Sequence, residues 1–105
     1  MIIITGSALT KSETHGEMIV ICTEHSARSR AESGCIAHNV HVDCENPARL
    51  VFVEQWADTA AVKAHFAVPA SGQFVKRLGE LAAARPEMNV FSAEPLPIQA
   101  RATPS

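Results

Sequence analysis

Residues Cys35 to Trp56 restrict the possible folds more than any other stretch. The runs "CIAHNVHVD" and "LVFVEQW" are rich in β-branched and aromatic residues. Between them lies the turn cluster "DCENPAR", with Asn46-Pro47 at its centre. Two such runs around a turn read as a β-hairpin over 35–56. The second run is apolar on both faces: Leu50, Phe52 and Trp56 point one way, Val51 and Val53 the other. A strand of that kind belongs inside a sheet that is covered on both sides.

The flanking segments complete the pattern. Residues 1–9 read as a first strand, four apolar residues followed by Thr-Gly-Ser-Ala-Leu. A helix follows over about 14–31, where Met18, Ile21, Cys22 and His25 recur at helical spacing. Thr10 with Glu13, or Thr14 with Glu17, offers a capping box, and Gly34 supplies the stop. After the hairpin, Asp58 caps a helix from Thr59 to about Ala67, which Pro69 interrupts. Ser71 then caps a second segment with Phe74, Leu78, Leu81 and Ala82 on one face, ended by Arg85-Pro86. "MNVFSAE" is a fourth strand.

The order β-α-β-β-α-β, with its second helix broken, is the α+β, ferredoxin-like split pattern with an antiparallel sheet. It forms one domain over 1–94, followed by a Pro-rich tail over 95–105 that is extended or frayed. Such a sheet carries its helices on one face. The other face needs a partner, and a second copy of the same sheet is the simplest one. A homodimer is expected on these grounds.

Composition removes several function classes. The net charge is −2 and the longest basic run is Lys76-Arg77, so nucleic acid and anionic membranes find no footprint. No apolar run approaches the ~20 residues of a membrane helix, and Met1-Ile2-Ile3-Ile4 lacks the basic start of a signal peptide. A soluble, cytoplasmic protein is expected. Cys22, Cys35 and Cys44 form neither an even set nor a CxxC, against both a disulfide framework and a zinc knuckle. Cys22 and Cys35 read as small packing groups and Cys44 as a turn residue. Phosphate-loop, GxSxG and HExxH motifs are all missing from the sequence, so no cofactor and no metal is expected.

The candidate chemistry lies around the hairpin and the helix after it. Glu54 falls between Phe52 and Trp56 on one strand face, where a carboxylate needs a partner. It is either half of a structural ion pair or the group that orients a histidine or a substrate hydroxyl. His38 and His41 sit at odd spacing on one strand and point apart, so they do not share a metal. His38 is either a satisfied core histidine or a catalytic one. His65 lies on a helix face with Val62 and is either a buried structural histidine or a general base at a pocket mouth. Trp56, Phe66 and Phe74 are core residues or the walls of a cleft for a flat ring.

"SRAESGCIAHNVHVDCENPARLVFVEQWADTAAVKAHFAVPASGQF" resembles the antibiotic biosynthesis monooxygenase domain family. The features are the Arg-x-Glu-x-Gly-Cys run from Arg30 to Cys35, the "HVD…NP.R" hairpin, "FVEQWAD", and a helix closing at "AHF" before "P.S..F". The resemblance extends over roughly 1–94. It implies ferredoxin-like subunits paired sheet to sheet as a dimeric α+β barrel, with a pocket between helices and sheet. Relatives include cofactor-independent oxygenases of quinols or polycyclic phenols, haem-degrading enzymes and an enzyme of a phosphorylated autoinducer. By this resemblance Phe52, Trp56, Phe66 and Phe74 bind substrate, and His65, Glu54 and His38 carry catalysis.

Departures narrow the choice. The tyrosine frequent near the start of the hairpin strand is Asn39 or His38 here, and the chain has no tyrosine. A mechanism needing a phenol donor is excluded. No axial histidine follows His65, which disfavours haem degradation, and only Arg28, Arg30, Arg49 and Lys63 could serve a phosphate. The resulting expectation is a cofactor-independent monooxygenase using molecular oxygen on a small quinol or polyphenol. Its rivals are an isomerase of a small hydroxy-carbonyl metabolite and a non-enzymatic ligand-binding or stress-associated barrel.

Overall fold

The 35–56 hairpin forms one side of a four-stranded antiparallel sheet. The computed structural model describes residues 1–98. The elements run β1 (Ile2–Leu9), α1 (His15–Arg30), β2 (Cys35–Asp43), β3 (Asn46–Trp56), α2 (Thr59–Ala67), α3 (Pro69–Leu81) and β4 (Glu87–Ser92). Strand order across the sheet is β2-β3-β1-β4, with every pairing antiparallel. This is the expected α+β ferredoxin-like arrangement, with three helices because α2 and α3 are separate.

Cross-strand partners point to the same face. Ile4, Glu54 and His38 are such a row, and Gly6, Phe52 and Val40 are the next. This is the helix-covered face. Ala8, Leu50 and Phe52 of the sheet pack with Met18 and Cys22 of α1 and Phe74, Leu78 and Leu81 of α3. A second cluster joins Ile4, Trp56 and Val62. Glu54 falls between Phe52 of the first cluster and Trp56 of the second. A polar seam therefore crosses the core at that point.

The opposite face is more mixed than the β3 pattern suggests. Ile3, Val51, Val53 and Phe91 share it with Thr5, Gln55, Asn39 and Asn89. Val53 and Phe91 are exposed there.

Local chemistry shifted several boundaries. The hairpin tip is Cys44-Glu45 rather than Asn46-Pro47: Asp43 Oδ1 accepts from the Glu45 N–H at 2.9 Å, and Asn46 already pairs with Asp43. Pro47 sits in the exposed start of β3. Thr14 is the N-cap of α1 but makes no capping bond. Its hydroxyl donates instead to the Leu81 carbonyl at 2.9 Å, tying the start of α1 to the end of α3. Gly34 does not terminate α1, which stops at Ala31; it shapes the turn that follows. Pro69 does more than interrupt: it opens α3 at a position where its missing N–H is harmless, and Val68, not Ser71, is the N-cap. Asp58 caps α2 as expected, accepting from the Ala61 N–H at 2.8 Å. Residues 95–98 carry no regular structure, and the rest of the expected tail, 99–105, lies outside the described residues.

Candidate active site

The seam in the core is built from four elements. β3 supplies Glu54, whose Oε1 accepts the Trp56 indole N–H at 3.0 Å. β2 supplies His38 directly opposite. Its Nδ1 lies 2.9 Å from Ser26 Oγ of α1. Its Nε2 lies 3.3 Å from Glu54 Oε1 but off the line of a hydrogen bond. That nitrogen is the one buried side-chain polar atom without a hydrogen-bond partner among the described residues.

α1 supplies His25, whose ring stacks on Phe74 at 3.9 Å between centroids and 3° between planes. α2 supplies His65. Its ring lies 4.5 Å from Trp56, and its Nδ1 is 2.9 Å from Glu32 Oε1. The three imidazoles are buried, and their centroids are 5.1, 5.4 and 5.6 Å apart.

Glu32 reaches His65 from the turn between α1 and β2. That turn passes very close to α2. Gly34 has φ +83°, and a Cβ there would stand 2.5 Å from Ala61 Cβ. A residue without a side chain that accepts positive φ is what the close approach requires. The Gly34 carbonyl also accepts the Ala57 N–H at 2.8 Å, fixing the turn to the end of β3.

Electrostatics follow from burial and crowding. Burial, then the neighbouring His38, His65 and Arg28, push His25 down to about 3, against the pull of Glu54, so it stays neutral. Burial works to raise the Glu54 carboxyl. The His38 imidazole beside it and the Trp56 N–H outweigh that, and the net shift is downward. Glu54 is therefore an anion at neutral pH, set among imidazoles.

The seam opens into a cavity of about 640 Å³, inside the range of small-molecule sites. His25, Glu54 and His65 form its floor. Phe52, Phe74, Leu78 and Val75 form apolar walls, with Phe66 half-exposed at the rim. Met88 and Glu87 of β4 close the far side.

The sequence-predicted residues divide cleanly. Phe52, Phe66, Phe74, Glu54 and His65 line the cavity. Trp56 and His38 do not; both are fully buried behind the floor, so Trp56 is a support and not a wall. His65 is at the floor rather than the mouth. Glu54 is not its carboxylate partner: Glu54 bonds Trp56 and abuts His38, while Glu32 holds His65. Sequence reasoning missed His25, Glu32 and Ser26. His25 was visible only as part of the Met18–Cys22 helical stripe, and Glu32 only inside the Arg30–Cys35 motif. Sequence showed no tight histidine cluster, yet folding brings three together from α1, β2 and α2. His41 points away and is exposed, as its odd spacing from His38 requires. No helix among the described residues is long and apolar enough to cross a membrane.

Comparison with known proteins places this geometry. The sequence profile of the antibiotic biosynthesis monooxygenase family matches residues 1–77. An uncharacterized protein of Synechocystis is 28% identical over 90 residues, 86% of this chain; the chain spans only 61% of that protein's length. A solved antibiotic biosynthesis monooxygenase superposes with a TM-score of 0.82 at 24% identity, covering 90% of this chain and all of that one. A conserved protein of Methanosarcina mazei gives 0.83 at 24% identity, covering 89% and 92%. A Shewanella oneidensis protein gives 0.79 at 27% identity, covering 86% and 87%. At most of these identities the likeness establishes the fold. The profile match adds the lineage: the chain belongs to the antibiotic biosynthesis monooxygenase family.

Proposed function

We propose that the chain is a monooxygenase that inserts oxygen into a small quinol or polyphenolic ring held in the cavity. The observation that carries this reading is an aromatic-walled cavity whose floor pairs an imidazole with its own carboxylate. Phe52, Phe74 and Phe66 offer faces for a flat ring. A ring hydroxyl then reaches the floor. With Nδ1–H donated to Glu32, His65 turns a basic Nε2 lone pair away from that carboxylate. It takes the hydroxyl proton as general base, and Glu32 and Glu54 stabilise the imidazolium.

The resulting anion is electron-rich enough to react with oxygen. A quinol plus O₂ gives a hydroxyquinone plus water, so the substrate supplies both electrons. Pairing with a second copy through the open sheet face belongs to the same proposal, supported by the exposed Val53 and Phe91.

The test is oxygen uptake by purified protein with a panel of quinols. Replacing His65→Ala should lower kcat about 10²–10⁴-fold, the range for loss of a general base. Absence of oxygen uptake across the panel, or full activity in the variant, overturns the reading.

A further inference from the structure

We propose that His25, His38 and His65 form a three-histidine site for a divalent first-row transition metal, with Glu54 beside His38 and the fourth position open toward the cavity. Their ligand nitrogens all lie within 4.8 Å of one another. Three imidazoles bound through Nε2 at about 2.0–2.1 Å have ring centres about 5.2 Å apart in a tetrahedral site. The observed spacings of 5.1, 5.4 and 5.6 Å match that arrangement. The widest nitrogen pair must draw in by up to about 1.4 Å to reach the tetrahedral edge.

The outer contacts point the same way. A metal-bound histidine usually holds its second nitrogen on a carboxylate, carbonyl or hydroxyl. His65 Nδ1 does so with Glu32 and His38 Nδ1 with Ser26. The Nε2 of His38, buried 3.3 Å from Glu54 Oε1 but without a hydrogen bond, gains a partner in such an ion. Glu54 brings one negative charge and Glu32 a second just behind His65, enough to balance a divalent cation. His25 requires one change. Arg28 Nη2 stands 3.5 Å from its Nδ1, and coordination through Nε2 places a proton there, so the exposed Arg28 side chain moves off. Imidazole ligands select zinc, iron, cobalt, nickel or copper over magnesium or calcium.

The site occupies the floor of the cavity assigned above but does not depend on the oxygenase reading. One lone pair on His65 cannot serve both an ion and a substrate proton, so metal loading and base catalysis exclude each other.

The experiment uses untagged full-length chain, stripped with chelator and titrated with Zn(II) and Co(II). One ion per chain, with the visible absorption of low-coordinate Co(II), is expected. His25→Gln and His65→Gln should each weaken binding at least tenfold, and Glu32→Gln about 10–100-fold. His41→Ala, on the exposed side of β2, should change nothing. Substoichiometric binding in the parent, or affinity untouched by the His25 and His65 variants, overturns the proposal. Circular dichroism checks each variant; the parent stoichiometry stands even where a variant fails to fold. Oxygen uptake by stripped protein that Zn(II) abolishes supports both readings. Uptake that requires the ion supports this site and removes His65 as the base. A chain that consumes oxygen but binds no ion loses this proposal alone.

Discussion

Replacing Gly34→Ala tests how the Glu32 turn is held against α2. Two costs follow from the geometry. The residue sits at φ +83°, where a side chain costs about 1–2 kcal/mol. The new Cβ would also stand 2.5 Å from Ala61 Cβ, where ordinary contact begins at 3.4 Å, so turn and helix must part by most of an ångström. Forced overpacking of that kind costs about 1–3 kcal/mol. The expected loss is about 2–5 kcal/mol, read as a lower urea midpoint at unchanged slope. Ala61→Gly alone should cost about 1 kcal/mol of helix propensity. Combined with Gly34→Ala it removes the clash but not the backbone strain. The double-mutant cycle should then show a favourable coupling of about 1–3 kcal/mol. Separation of the turn from α2 also draws Glu32 away from His65, so activity or metal affinity should fall in the single variant and recover in the double. A loss under about 1 kcal/mol, or additive single and double variants, would refute the reasoning.

Other perturbations probe separate parts of the structure. Trp56→Phe deletes the 3.0 Å N–H donor to buried Glu54 and should cost about 1.5–3 kcal/mol in urea unfolding; an unchanged midpoint would mean the bond contributes nothing. Gly79→Ala, in α3 with open space where its Cβ would be, should raise stability by about 0.4–1 kcal/mol, and a decrease would contradict that open space. Thiol reagents should label exposed Cys44 quickly and spare buried Cys22 until the chain unfolds; equal native rates would count against the packing of α1. Burial pushes the Cys22 thiol up to about 12 from 9.0, so its contribution to stability is full below pH 9. That contribution is lost as pH rises toward 12, and Cys22→Ala should flatten the alkaline unfolding profile.

Alternation in β3 was enough to place Phe52, Glu54 and Trp56 on one face, because a strand's two-residue period leaves no other choice. The order of elements then specified the sheet. What sequence could not show was which carboxylate meets which imidazole. Glu54 and His65 are closer in sequence than Glu32 and His65, yet the chain brings Glu32 in through a glycine turn whose close approach to Ala61 exists only in three dimensions. His25 was hidden for a different reason. Buried helix faces collect any residue at the right period, and the Met18–Cys22 stripe reads as core whether or not its next member titrates. The sequence placed the hairpin tip at Asn46-Pro47, the α3 cap at Ser71 and a capping bond at Thr14; local preference alone does not separate these from the observed Cys44-Glu45 tip, Val68 cap and Thr14–Leu81 bond.

All six residues of β4 are exposed, and this strand supplies the wall facing the histidine floor. The two sides of the cavity are thus under unequal folding constraint. A change at His65 or Glu54 disturbs buried neighbours in two clusters, whereas one at Met88 or Glu87 meets mainly water. The shape of the cavity can therefore change by substitutions along this edge strand while the buried histidines and Glu54 stay fixed, at little risk to folding.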